Sequence, residues 1–285
     1  MLDRVYIEIG NVCTLKCDFC PGTSRPERRM TVEEFRHVCR EVRPHCKEIL
    51  LHVMGEPLYH PALSEILSVA REEELRVSVT TNGTLLGTRG GLLLENSDVL
   101  HRVSISLHSV EGNGSDPARG EYLNTAIAFA KKLAQKGVNA VFRLWNLDTD
   151  EREGKNESNA SVEEILHEAF PGEWLHRYSG YRIAYRTFLE YDGIFTWPSE
   201  SEAEGEDKGT CHALSSQIAV LADGTVVPCC LDAEGQMPLG NIFTDPLDKI
   251  LASDMAVTML CGFREGRIVH PVCKKCTYRK RFSRR

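Results

Sequence analysis

Apolar and polar positions alternate with two periods along the first two-thirds of the chain. Short β-branched runs read as strands: RVYIEI (4–9), EILLHV (48–53), LRVSVT (75–80), HRVSISL (101–107), VNAVFRL (138–144) and YRIAYRTF (181–188). Between them lie helical patterns at 31–42, 61–73, 125–137 and 161–170. The first and last open at Thr31 and Ser161, each followed three residues later by glutamate, the spacing of a capping box. The stretch TRGGLLLEN (88–96) supports at most a short helix. Six strands joined by helical crossovers predict an α/β fold with a parallel sheet. A partial (β/α)6 TIM-like barrel and an open doubly wound sheet both fit that pattern.

Two polar stretches break the rhythm. NLDTDEREGKNES (146–158) reads as a long loop, and PSESEAEGEDKGT (198–210) as an acidic linker. Beyond the linker, LADGTVVPCC (221–230) reads as a hairpin turning at Asp223-Gly224. A boundary near residue 200 divides the chain into 1–200 and a small cysteine-rich domain at 201–285. No repeat of solenoid period is visible.

Composition narrows the function. The 285 residues carry a formal net charge of -7, which argues against a bulk nucleic-acid coat. No apolar run is long enough to span a membrane. MLDRVYIEIG lacks the regions of a signal peptide, so a cytoplasmic protein with reduced thiols is expected. The sequons NES, NAS and NGS then read as chance. Eleven cysteines are many for a reducing compartment, and clustered ones there hold metal more often than disulfides.

Three of them, Cys13, Cys17 and Cys20, lie in IGNVCTLKCDFCPGT (9–23). A structural zinc takes four ligands and a disulfide two. A [4Fe-4S] cube takes one thiolate per iron, so three cysteines leave one iron open. The loop follows the first strand, and so lies at the edge where α/β folds place ligands. Half of a zinc site is the bland alternative.

At this point the chain resembles the radical S-adenosylmethionine (SAM) enzymes, whose signature CTLKCDFC matches, Phe19 included. The resemblance runs over roughly residues 5–190 and implies SAM on the open iron, a 5′-deoxyadenosyl radical, and a one-electron donor such as flavodoxin or ferredoxin. Gly55-Glu56-Pro57 resembles the Gly-Gly-Glu motif that binds the amino end of SAM, with Met54 in place of the first glycine. Thr80, Thr81 and Asn82 resemble its contacts to the methionyl and ribose parts. Ser106 and His108 stand where relatives have Ser-x-Asp, and Arg143 offers the SAM carboxylate a planar fork. Taken alone, Glu56 is a surface carboxylate, His108 a satisfied histidine and Arg143 a rim residue. Cys39 and Cys46 read as small buried thiols.

Six more cysteines lie in the tail: Cys211, Cys229, Cys230, Cys261, Cys273 and Cys276. A four-cysteine zinc knuckle fits them. The run of Cys211, DGTVVPC, LGNIF, DPLDKILAS and PVCKKC also resembles the SPASM or shorter Twitch extension of radical SAM enzymes. No cysteine follows Cys276, so the resemblance implies one auxiliary [4Fe-4S] cluster on Cys211, Cys229, Cys273 and Cys276. Cys230 rivals Cys229, and Cys261 reads as a bystander.

The expected activity is radical oxidation of a small polar or sugar-like molecule, since no room precedes the first strand for a peptide-leader domain. Modification of RNA or a peptide is the alternative, with the basic tail YRKRFSRR as docking surface. A non-catalytic metal-binding module is a third reading. No residue offers itself as substrate acid or base.

Overall fold

The computed structural model describes residues 1–116, 120–147, 157–198 and 205–282. Five parallel strands stand side by side in chain order: β1 (Arg4–Ile7), β2 (Glu48–Leu51), β3 (Arg76–Thr81), β4 (Leu100–Ser106) and β5 (Asn139–Leu147). Next come β6 (Leu175–Arg177), β7 (Gly180–Ala184) and β8 (Thr187–Gly193). β8 lies parallel to β5, while β7 and β6 continue the edge as an antiparallel meander. From β1 to β8 the parallel strands follow chain order without the reversal that defines a doubly wound sheet. Helices α1 (Val32–Val42), α2 (Leu63–Glu72), α3 (Leu86–Glu95), α4 (His108–Glu111), α5 (Tyr122–Gln135) and α6 (Glu157–Ala169) cross between strands. The longer helices meet in sequence, α1 on α2, α2 on α3, α3 on α5 and α5 on α6, as a sequentially wound barrel wall requires.

Strand chemistry explains the two faces. Val5 and Ile7, Ile49 and Leu51, Val103 and Ile105 occupy alternate positions and are completely buried under the helices. The positions between them face the other side, which holds a small apolar cluster around Tyr6 and Leu50 and also polar groups. Ser78 donates to Glu48 at 2.6 Å, and Arg102 pairs with Glu190 at 2.5 Å across that second face. Helix α1 supplies the matching apolar stripe through Phe35, Val38, Cys39 and Val42. Thr31 and Glu34 close the expected capping box.

The C-terminal segment extends the same sheet. β9 (Gln217–Val220) lies parallel to β1, and β10 (Thr225–Val227) and β11 (Gly240–Asn241) follow antiparallel. α7 (Leu247–Leu251), α8 (Asp254–Arg264) and α9 (Pro271–Lys275) complete the chain. The expected hairpin turn lies at Asp223-Gly224, where Gly224 has φ +85° and a Cβ would stand 2.4 Å from the Phe243 ring.

Four readings need correcting. YRIAYRTF is not one strand: Arg186 takes φ 51° and splits it into β7 and β8. Ser161 is no cap, because α6 already begins at Glu157. TRGGLLLEN belongs to a ten-residue helix, α3, where Gly90 lets the Phe129 ring pack close. Two basic residues of the tail are engaged within the chain rather than free: Arg279 is buried and bonded to Cys273, Lys208 and Glu206, and Arg281 pairs with Asp192. The boundary near residue 200 falls outside the described residues, as do the last three of the tail. Among the described residues, no helix is long and apolar enough to cross a membrane.

Candidate functional site

The C-terminal ends of β1 to β5 converge on one loop, residues 10–29, which carries Cys13, Cys17 and Cys20. Cys13 and Cys20 are exposed and Cys17 half-buried. Each thiol meets groups from outside the loop, and Cys17 also contacts the Ser109 carbonyl at 3.5 Å. Asn82 after β3 reaches Cys13 Sγ at 3.7 Å, Asn113 after α4 donates to Cys17 Sγ at 3.1 Å, and Cys20 Sγ lies 4.0 Å from Met54 Sδ. Among the described residues, no three His, Cys, Asp or Glu side chains close on a single metal ion.

Gly55 and Glu56 lock this loop to its neighbours. Gly55 has φ +81°, and a Cβ there would stand 2.2 Å from the carbonyl oxygen of Gly10. The Glu56 N–H donates to the Val12 carbonyl at 3.0 Å. Its buried carboxylate accepts the N–H of Asn82 at 2.8 Å and of Leu58 at 3.0 Å. Burial raises the Glu56 pKa, and the bonds pull against it. Asn82 also donates to Thr14 at 3.0 Å, so one asparagine joins the β1, β2 and β3 loops.

Around the mouth, Arg143 donates to Thr80 at 3.4 Å and lies 3.5 Å over the Trp145 ring. Its Nε is sealed without a hydrogen-bond partner. Burial lowers its pKa to about 10, with Arg102 pushing the same way. Ser106 is buried. His108 is buried 5.0 Å from the Phe19 ring, with Nδ1 3.1 Å from the Arg143 carbonyl and the Trp145 N–H 3.3 Å away. Burial lowers its pKa to about 4, so the ring is neutral. The indole of Trp197 donates to the Phe19 carbonyl at 3.0 Å and ties a distant segment over the loop.

The second cysteine group divides in two. Cys211, Cys229 and Cys273 pack against the main core, while Cys230 packs with Tyr6, Ala219, Leu221 and Val227. Burial pushes the thiols of Cys211, Cys229, Cys273 and Cys276 upward. Within that set, Cys229 feels Cys211 and Cys273, and Cys273 feels Cys276. Cys230 instead shares a hydrogen bond with the Tyr6 hydroxyl. The two lie in the turn just past β10, and they pack into different clusters. Cys39 and Cys46 are buried and Cys261 is exposed on α8, as expected.

Sequence reasoning missed Glu8. This wholly buried carboxylate pairs with Arg25 at 2.7 Å and accepts the N–H groups of Met54 at 3.2 Å and Ala222 at 3.1 Å. Arg25 and Arg28 reach on to the carbonyls of Ala233 and Ala222, and Ser24 bonds Glu234. A charged residue inside the apolar run RVYIEI was the available signal. A cavity of about 760 Å³ is lined by Arg102, Ala184 and Arg186 near the strands' opposite end, away from this chemistry.

Two family models match this arrangement. Residues 7–154 match the radical SAM superfamily. The chain belongs to that superfamily. Residues 211–277 match SPASM, an iron–sulfur cluster-binding domain, so this radical SAM enzyme carries an auxiliary domain of that type. The chain is 27% identical over 277 residues to the antilisterial bacteriocin subtilosin biosynthesis protein AlbA of Bacillus subtilis, covering 87% of this chain and 59% of that one. It is 35% identical over 116 residues to the AdoMet-dependent heme synthase of Methanosarcina barkeri, 40% of this chain and 33% of that one. The chain thus spans less than two thirds of either relative. Among solved structures, BtrN in complex with AdoMet and 2-DOIA matches with TM-score 0.62 at 16% identity, over 97% of this chain and 93% of that one. Streptococcus suis SuiB bound to precursor peptide SuiA matches with TM-score 0.59 at 15% identity, over 97% and 71%.

Proposed function

We propose that this radical SAM enzyme modifies a peptide. The observation that carries this reading is the similarity to the bacteriocin biosynthesis protein, which runs through 87% of the chain. It displaces the small sugar-like substrate expected from sequence. In this reading Cys13, Cys17 and Cys20 hold a [4Fe-4S] cluster whose open iron takes SAM, and Cys211, Cys229, Cys273 and Cys276 hold one auxiliary [4Fe-4S] cluster. The reading divides the chain into a radical SAM unit, 1–200, and an auxiliary unit, 201–285. A one-electron donor of the flavodoxin or ferredoxin class serves it.

The residues fit that cargo. Three thiols sit on one loop, beside groups contributed by the ends of other strands. The bare backbone at Gly55 lets the Gly10 backbone pack against the turn that carries Glu56, which fixes the cysteine loop to the end of β2. The sealed, unpartnered Nε of Arg143 suits a carboxylate. Thr80, Asn82 and Ser106 offer hydroxyl and amide groups beside it. His108 and Glu56 act from behind, as positioning residues, because His108 Nδ1 and the Glu56 carboxylate are spent on backbone. Trp197 ties a distant segment to the loop through the Phe19 carbonyl. When bound, cluster and SAM supply the carbon-centred radical that no side chain here can supply.

The test is anaerobic release of 5′-deoxyadenosine by reconstituted, reduced protein given cell extract split by size. The macromolecular fraction should stimulate release, and protease but not nuclease should remove the effect. Stimulation by the small-molecule filtrate alone overturns the peptide reading.

A further inference from the structure

The sheet ends in an open edge. Among the described residues β6 is its last strand, paired with β7 alone, and all three of its residues are exposed. Such an edge offers unpaired N–H and C=O groups to a further strand. The register sets Leu175 across from Arg182, Arg177 across from Gly180, and Arg182 in turn across from Phe188. Leu175, Arg177, Arg182 and Phe188 therefore share one face, and all four line the cavity of about 760 Å³. Of the other arginines there, Arg102 is committed to Glu190, and Arg186 to Asn139 and the Tyr185 hydroxyl. Among the described residues, the side chains of Arg177 and Arg182 have no ion pair or hydrogen bond. Tyr178 and Tyr185, just before and just after β7, line the same cavity and are 86% and 73% exposed.

We propose that β6 and the cavity beside it dock an acidic, extended peptide segment. Its main chain adds to the sheet next to β6. Its side chains alternate across the sheet, so glutamates two residues apart reach Arg177 directly and Arg182 across Leu175. Charge decides the occupant. A second copy of this chain would add its own Arg177 and Arg182 to the same seam, and like charges across a strand pair repel. RNA has no main-chain N–H and C=O ladder to offer the edge, and two free cations on a chain of net charge -7 are few for a polyphosphate. This deepens the peptide reading and rests on it: the segment is a part of the substrate remote from the reacting carbon, since the cavity lies at the far end of the strands. Binding energy gained there holds the reacting residue in place elsewhere. The opposing reading is that the arginines only keep the edge from pairing.

The probe is a fluorescein-labelled peptide of alternating glutamate and valine, given anaerobically to reconstituted holoenzyme. Anisotropy should show binding that weakens as salt rises. Arg177→Glu combined with Arg182→Glu should weaken it about tenfold or more, and a lysine–valine peptide should not bind. Amide hydrogen exchange at 175–177 should slow when the probe is bound, the mark of an added strand. In the same double variant, 5′-deoxyadenosine release stimulated by the macromolecular fraction should fall, while release without extract stays at the wild-type rate. No binding to the wild type overturns the proposal and leaves the arginines as guards of the edge. Equal binding by the double variant overturns it, as does exchange that slows elsewhere but not at β6. Equal binding of a labelled oligouridylate overturns it too, by making the patch a general anion site. The two readings fail differently. Absent probe binding with macromolecular stimulation intact removes the docking alone, whereas stimulation by the small-molecule filtrate alone removes the peptide reading and the docking with it.

Discussion

At the scale of single residues, burial decides which polar groups touch a ligand and which hold others in place. His108 was legible as a candidate because it ends the fourth strand, but its role was not. Only the fold reveals that Phe19 covers its ring and that its Nδ1 is spent on the β5 backbone. Enclosure also makes it a pH-sensitive element. Its folded pKa of about 4 lies below the unfolded value of about 6.5, so in that window the unfolded chain binds a proton that the fold refuses. The stability it contributes is fully present above about pH 6.5 and is lost as pH falls towards 4, by at most about 3 kcal/mol. Burial lowers His52 in the same direction, to about 3. Urea midpoints measured between pH 7 and 4.5 should therefore fall steeply for the wild type and less steeply for His108→Asn. Parallel slopes would mean that the His108 ring takes up its proton in the folded state.

At the scale of elements, the strands, most helices and the Asp223-Gly224 turn were readable because each obeys a local rule: period, cap or turn chemistry. What local rules missed were places where packing overrides them. Arg186 breaks a run that looks continuous, and Gly90 sits inside a helix because Phe129 occupies the space of its side chain. The Cys229 and Cys230 alternatives were likewise open in sequence, and their separation depends on how the turn after β10 directs each one into a different packing cluster. The hairpin is the element that presents Cys229, and Gly224 is its hinge. Gly224→Ala adds a Cβ 2.4 Å from Phe243 at a φ of +85°, so about 1–3 kcal/mol of strain is expected. Thermal melting should register that loss, and iron should drop from about eight per chain towards four as the auxiliary site loosens. Unchanged iron would mean that Cys229 is placed without this turn.

At the scale of the whole molecule, one buried ion pair joins the two cysteine groups. Glu8 and Arg25 lie where β1, the Cys13–Cys20 loop, the Met54 turn and the Ala222 turn meet. Sequence periodicity cannot foresee such a junction, since its members lie more than two hundred residues apart. A buried pair adds little net stability over apolar residues, but removing one partner strands the other charge at a cost of about 3–5 kcal/mol. Glu8→Gln should therefore lower unfolding free energy by about 3 kcal/mol, and Glu8→Leu combined with Arg25→Leu by less, although it removes more bonds. If the pair only stabilises, iron loading at both sites should follow stability across these variants. If it also sets the registry of the two loops, the double variant should regain stability but not iron. Denaturation and iron analysis on the same preparations separate the two. An effect of Glu8→Gln within about 0.5 kcal/mol, the range of surface substitutions, would remove the pair from both roles.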